Sequence, residues 1–127
     1  MNSILTMRIL DETFGVCRLN AYEAIPYWAL SGSFYAITKT DDELSIVCPQ
    51  NQIPNSITCE KSWRALKIEG PLDFSLVGIL SSIGTILAQH KISLFAISTF
   101  DTDYILVKEK DLLRAVDALQ SENYLVK

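Results

Sequence analysis

Basic residues are too few in this sequence to form a surface for nucleic acid. The chain has 11 lysines and arginines against 15 aspartates and glutamates, so its formal net charge is −4 at pH 7. Binding to the phosphates of DNA or RNA needs a cluster of positive charge. We therefore expect no nucleic-acid partner.

Cysteine and histidine are also scarce. The three cysteines, Cys17, Cys48 and Cys59, have spacings that fit neither a zinc-binding quartet nor a disulfide framework. We interpret them as reduced side chains that pack as small hydrophobic residues in strands. No serine, cysteine or lysine lies beside a recognisable base, as a nucleophile in catalysis would require. The sequence thus predicts no catalytic residue, no metal site and no cofactor, and the chain is not expected to be an enzyme.

Long apolar segments are missing as well. The most apolar stretch, residues 74–88, is shorter than a membrane-spanning helix and contains several hydroxyl side chains. The N-terminus lacks the basic region and the small-residue cleavage site of a signal peptide. We expect a cytoplasmic protein with no membrane partner. The apolar share of 49% and the charged share of 20% are typical of a globular chain, with room for one compact domain or two small ones.

One hairpin pattern occurs twice. Residues 94–108 have the composition of two strands joined by a turn at residues 100–103, because apolar and β-branched residues flank a run of aspartate and threonine. Residues 34–47 repeat this pattern about sixty residues earlier. Aligned without gaps, the two copies share four identities: Ala36/Ala96, Ile37/Ile97, Asp41/Asp101 and Val47/Val107. In this alignment Thr99 and Phe100 correspond to Lys39 and Thr40.

The second half of the chain shows a complete order of elements. From residue 63 onward the periodicity predicts strand, helix, strand, strand, helix and strand, with helices over residues 76–90 and 110–121. This order is typical of the ferredoxin-like plan, in which two helices pack on one face of an antiparallel sheet. We predict an α+β protein of two such βαββαβ units, with residues 61–127 as the complete one.

The first half repeats the plan in degenerate form. Its predicted strands cover residues 4–10 and 15–19, with a turn at residues 11–14 between them, and the first hairpin follows. Residues 49–55 hold two prolines, two asparagines and two glutamines, so a loop is predicted where the plan would place a helix. Residues 1–60 therefore form the degenerate unit.

The hairpins and the loop before the first long helix carry a family resemblance. Residues 34–38 with 43–48, residues 72–80 and residues 97–107 resemble the corresponding parts of the ACT domain, and in particular of small bacterial proteins made of tandem ACT units. The second half is also similar to the ACT units of aspartate kinases and of cytosolic arginine sensors. This resemblance implies ACT-type units and a regulatory protein that binds an amino acid or a similar small metabolite. It also implies that the ligand is held at the junction between ACT units.

The resemblance implies a site on two surfaces, the start of the first long helix and the end of the strand after it. The residues carried over are Leu76, Val77, Gly78 and Ile79 on the helix, and Ser98, Thr99, Phe100 and Asp103 on the hairpin. Backbone amides at a helix start bind anions such as an α-carboxylate. Asp103 offers a charge for an ammonium or guanidinium group. A zwitterion could thus be held at both ends.

Structural interpretations of the same residues stay open at this point. Gly78 could mark a close approach of helix and sheet, and Ser98 and Thr99 could be ordinary strand residues. Asp101 and Asp103 could be turn formers only. For the whole chain, the alternative to amino-acid binding is a ligand-free interaction module that forms a homodimer. In either case we expect a homo-oligomer.

Overall fold

The computed structural model describes residues 5–69 and 78–127. The strands are β1 (Thr6–Leu19), β2 (Ala36–Lys39), β3 (Leu44–Pro49), β4 (Cys59–Ile68), β5 (Leu94–Ser98), β6 (Asp103–Lys108) and β7 (Leu125–Val126), and the helices are α1 (Ile79–Gln89) and α2 (Leu112–Ser121). Contacts between residues define two compact units. One comprises residues 12–63, and the other comprises the described residues before and after them. The predicted division at residue 60 into two ACT-type units stays a prediction.

The unit of residues 12–63 is a small sheet with the strand order β2-β3-β1-β4. β3 pairs antiparallel with both β2 and β1. Two 3-10 turns, Tyr27–Ala29 and Gln50–Gln52, are its helical segments. The second of these turns lies in the predicted loop 49–55, so this unit has the hairpin of the plan without its long helices.

One predicted turn in the first half is wrong. β1 continues through residues 11–14, where we expected two strands to be separated. A distant partner explains the difference, since the Glu12 carboxylate accepts hydrogen bonds from the Ser33 amide at 3.4 Å and the Ser33 hydroxyl at 2.8 Å. Phe14 is fully buried, so the strand gains apolar burial at this point. We also expected a strand at residues 56–59 and another at 63–69. The structure has one strand here, β4, which begins at Cys59, and residues 56–58 lie outside it.

The other unit confirms the predicted order of elements. From β4 onward the chain runs β4-α1-β5-β6-α2-β7, and β5 and β6 form an antiparallel hairpin. Within this unit the strand order is β7-β1-β4-β6-β5, and β7 is parallel to the first residues of β1. The chain's first strand therefore stands between the first and last strands of the ferredoxin-like plan, a position that the sequence did not indicate.

Both helices pack on one face of this sheet. Residues from α1, α2 and alternating strand positions form one apolar cluster, as expected for the buried stripe of an amphipathic helix. Its fully buried members are Met7, Leu66, Ile68, Ile83, Leu87, Ile105, Val107, Ala115 and Leu119. The Ser82 and Tyr124 hydroxyls, 3.0 Å apart, add a hydrogen bond between α1 and the residue before β7. Neither α1 nor α2 has the length and apolar character needed to cross a membrane.

The predicted alignment of the two hairpins is wrong by one residue. The structure places Lys39 opposite Leu44 in the first hairpin and Ser98 opposite Asp103 in the second. Lys39 therefore corresponds to Ser98, and Thr40 corresponds to Thr99. The hydrogen bonds that close the turn set the register, whereas the identities in the sequence favoured an alignment shifted by one position.

Gly15 provides a stability test in the first unit. A Cβ atom at this buried position of β1 would lie 2.5 Å from Ile53 Cδ1 and 2.7 Å from Cys59 Sγ. We expect Gly15→Ala to lower the free energy of unfolding by about 1–3 kcal/mol, because overpacking forces neighbours to move. Urea denaturation followed by circular dichroism measures this. The control is Gly84→Ala in α1, where no described atom lies within 4 Å of the added Cβ, and stability should rise by about 0.5–1 kcal/mol. Equal stabilities of the two variants would contradict this account.

Candidate functional site

The predicted helix surface begins at a glycine with a left-handed backbone. Gly78 has φ 82° and directly precedes α1, and its carbonyl accepts the first helical hydrogen bond from the Ser82 amide at 2.8 Å. A Cβ atom there would meet no described atom within 4 Å. The interpretation as a close helix–sheet approach is therefore wrong, and the glycine is needed for its backbone conformation. Ile79 packs against the core, while Leu76 and Val77 lie outside the described residues.

Among the described residues, no side chain caps the start of α1. Gly78 has no side chain to accept a hydrogen bond, and none is made at the cap. The first backbone amides of an α-helix have no partner within the helix, and they lie at the positive end of its dipole. This helix start thus has the chemistry for binding an anion.

The residues of the predicted hairpin surface lie at one end of β5 and β6. They are Ser98, Thr99, Phe100 and Asp103. Ser98 and Asp103 lie directly opposite each other as the last pair of the hairpin. Asp103 is half-buried, and within residues 5–69 and 78–127 its carboxylate makes no hydrogen bond or ion pair. Asp103 is a strand residue, so its interpretation as a turn former is wrong; Asp101 lies in the turn and is exposed.

Thr99 and Thr102 close the turn between these strands. The Thr99 amide and hydroxyl donate to the Thr102 carbonyl at 2.8 and 3.0 Å, and the Thr102 amide donates back to the Thr99 hydroxyl at 3.2 Å. Thr99 is one of the residues that the resemblance assigns to the site, and its hydroxyl is engaged in the turn. Phe100 stands outward with 80% of its surface exposed.

Thr102 is a residue that the sequence interpretation missed. Its side chain is only 5% exposed, and its hydroxyl donates to the Ile68 carbonyl at 2.6 Å. The bond spans 34 residues of sequence and ties the turn to the last residue of β4. In the sequence Thr102 stands between two aspartates and looks like a turn residue, so no local signal identifies this contact.

The three cysteines form a cluster in the unit of residues 12–63. Cys17 and Cys48 are buried in its apolar core with Cys59 packed against them, which confirms their role as small hydrophobic residues. A hydrogen bond between two thiols raises the pKa of Cys17 and lowers that of Cys48. Burial is the main cause that raises the pKa of Cys59 to about 11. Among the described residues, no three His, Cys, Asp or Glu side chains are placed to hold a metal ion.

Comparison with known families identifies the family of this chain. The family model of the ACT domain matches residues 58–121, half of the sequence. The chain belongs to the ACT domain family. A second family model, described as an N-terminal domain, matches residues 12–56.

Curated relatives and solved structures agree with this assignment. The chain is 32% identical over 112 residues to the cytosolic arginine sensor for mTORC1 subunit 1 of Rattus norvegicus, covering 76% of this chain and 34% of that protein. It thus spans about a third of the length of this relative. A crystal structure of a protein from Agrobacterium tumefaciens is 39% identical, has a TM-score of 0.93 and covers 99% of this chain and 94% of its own.

A more distant structure shares the fold alone. The aspartate kinase of Clostridium acetobutylicum superposes with a TM-score of 0.66 at 13% identity, over 89% of this chain and 33% of the kinase. That structure is described as an allosteric enzyme. The ferredoxin-like fold predicted from the order of elements, which the family resemblance identifies as ACT-type, is thus confirmed.

Gly78 offers a test of the helix start. We expect Gly78→Ala to lower the free energy of unfolding by about 1 kcal/mol, because a Cβ atom is strained at this positive φ. Gly78→Asn should lose less, since asparagine tolerates the left-handed region. Chemical denaturation of both variants measures the difference. Wild-type stability of the alanine variant would contradict the left-handed conformation.

Cys59 predicts a pH dependence of stability. Its pKa is raised from 9.0 to about 11 in the folded chain, so between these values the unfolded chain loses the proton first. The free energy of unfolding should therefore fall as pH rises through this range. At lower pH, titration of Cys59 should cause no change in the free energy of unfolding with pH. The measurement is urea denaturation of wild type and Cys59→Ser at several pH values. The wild type should lose more stability than the variant, and parallel curves would contradict the raised pKa.

Proposed function

We propose that this chain is a regulatory protein that binds a free amino acid through its ACT domain. The observation that carries the proposal is the end of the β5–β6 hairpin, where the half-buried Asp103 carboxylate lies opposite Ser98 and has no partner among the described residues. A carboxylate at the end of this hairpin is available to an ammonium or guanidinium group.

The start of α1, where Gly78 provides no capping side chain, supplies the second half of the proposed site. An α-carboxylate would accept hydrogen bonds from the amides that follow Gly78, and the local dipole would stabilise its negative charge. Ser98 would add a hydroxyl, and Leu76, Val77 and Ile79 would contribute backbone. Together with Thr99 and Phe100, these are the residues that the family resemblance implies.

Several finer features belong to the same proposal. We propose that residues 1–60 and 61–127 are the two ACT-type units, and that the ligand is held at a junction between ACT units. The support is the resemblance of both hairpins to the family. We further propose a cytoplasmic, non-catalytic protein that changes its association with a partner or with itself when the amino acid binds. The name of the arginine sensor supports sensing of this kind.

A second candidate function is a ligand-free module that forms a homodimer. Large apolar side chains are exposed along one segment of the first unit, which favours an interaction surface. Tyr22 and Tyr27 are each 88% exposed, and Ile25, Leu30 and Tyr35 are also exposed. Sedimentation velocity measures the oligomeric state, but a homo-oligomer is expected for both candidates, so only a screen for ligands separates them.

Thermal unfolding in the presence of amino acids tests the proposed function. Each of the twenty standard amino acids is added at millimolar concentration, and the melting temperature is measured by differential scanning fluorimetry. At least one should raise the melting temperature, because a ligand that binds the folded state stabilises it; at a hundred times the dissociation constant the gain is about 2.7 kcal/mol. No rise with any amino acid would contradict the proposal.

A matched pair of variants tests the site itself. Asp103→Asn should reduce the temperature rise caused by the stabilising amino acid, since the charge facing its cationic group is removed. Glu43→Gln in the first hairpin is the control, because it also removes one carboxylate charge at a half-buried position and should leave the rise unchanged. An unchanged rise in the Asp103 variant would place the site elsewhere.

A further inference from the structure

Thr102 is unusual among the polar residues of this chain. Of the described polar and charged residues, only Thr102 and Asp111 are buried. Asp111 has an ion-pair partner on its own helix turn, Arg114, at 2.8 Å. The partner of Thr102 is the carbonyl of Ile68 on another strand.

The backbone that receives this hydrogen bond is firmly held. Ile68 is fully buried in the core cluster, and the amide of the next residue, Glu69, donates to the Thr6 carbonyl at 2.8 Å. The peptide group that contains the Ile68 carbonyl is therefore held by a hydrogen bond to β1. The position of the Thr102 hydroxyl is therefore set by its hydrogen bond to the sheet and not by the turn.

The first hairpin has the same turn without this anchor. The Thr40 amide and hydroxyl donate to the Glu43 carbonyl at 2.9 and 3.3 Å, as those of Thr99 donate to Thr102. Glu43 stands in the place of Thr102, and it is half-buried, whereas Thr102 is buried. The closed turn is thus common to both hairpins, while the bond to the core occurs in the second alone of the two.

We propose that Thr102 is a positioning residue for amino-acid binding, which fixes the end of the β5–β6 hairpin relative to β4. Through the turn bonds, the Thr102–Ile68 hydrogen bond sets the places of Thr99 and of the Ser98–Asp103 pair. Thr102 itself touches no ligand. This inference rests on the proposed function, because it assigns a role within the same site.

The test compares Thr102→Val, which keeps the shape and removes the hydroxyl, with Thr102→Ser, which keeps the hydroxyl. The probe is a mixture of the twenty standard amino acids at millimolar concentration, and each variant's melting temperature is measured with and without it. The single amino acid that stabilises the wild type most is then titrated by calorimetry at a temperature where every variant is folded. The valine variant should bind it about tenfold more weakly, a change equal to the net contribution of one hydrogen bond. The serine variant should bind like the wild type.

Thr40→Val is the matched control. It removes the turn hydroxyl of the first hairpin, so it should lower stability without changing affinity. If Thr102→Val does not fold, Thr102→Ala replaces it, with the same expected loss of affinity. Wild-type affinity in the folded Thr102 variant, or an equal loss in Thr40→Val, would overturn this inference and leave the proposed function standing. No binding by the wild type would overturn both.

Discussion

The strand register of the β5–β6 hairpin is the constraint on which the candidate site depends. Pairing of Leu94 with Val107 and of Ser98 with Asp103 turns Ile105 and Val107 into the core and leaves Asp103 at the open end. Because side chains alternate along a strand, a slip of one residue would turn both residues away from the apolar cluster that packs against the helices. The apolar burial of one face therefore fixes the place of the one carboxylate that the proposed function needs.

Elements with strong periodicity could be predicted from the sequence, and those with distant partners could not. The apolar stripes of α1 and α2 and the β-branched strand β6 carry their own local signal. The continuous course of β1 depends on Glu12 accepting hydrogen bonds from Ser33, 21 residues away. No local pattern predicts such a bond, so the acidic residues looked like a turn. The position of β1 beside β7 likewise depends on strand pairing between residues that are far apart in the sequence.

The candidate site was predictable in its residue types and not in its geometry. The family resemblance indicated Gly78, Ser98 and Asp103 as candidate site residues. The positive φ of Gly78 and the burial of Thr102 belong to the folded chain. The alignment of the two hairpins shows the difference. Sequence identities align Thr40 with Phe100, whereas the hydrogen bonds of the turns show that Thr40 corresponds to Thr99. Turn chemistry decided the register, and sequence identity did not.

The central claim is that a bound amino acid contacts the start of α1 and the end of the β5–β6 hairpin. Two-dimensional NMR of the backbone amides, recorded during titration with the amino acid that most raises the melting temperature, tests it most directly. The account predicts that the Gly78 and Ile79 amides and those of residues 98–103 shift together and saturate at one dissociation constant. The amide signals of residues 39–44 in the first hairpin should not shift. Saturable shifts confined to residues 39–44, or none near Gly78 and Asp103, would contradict the claim.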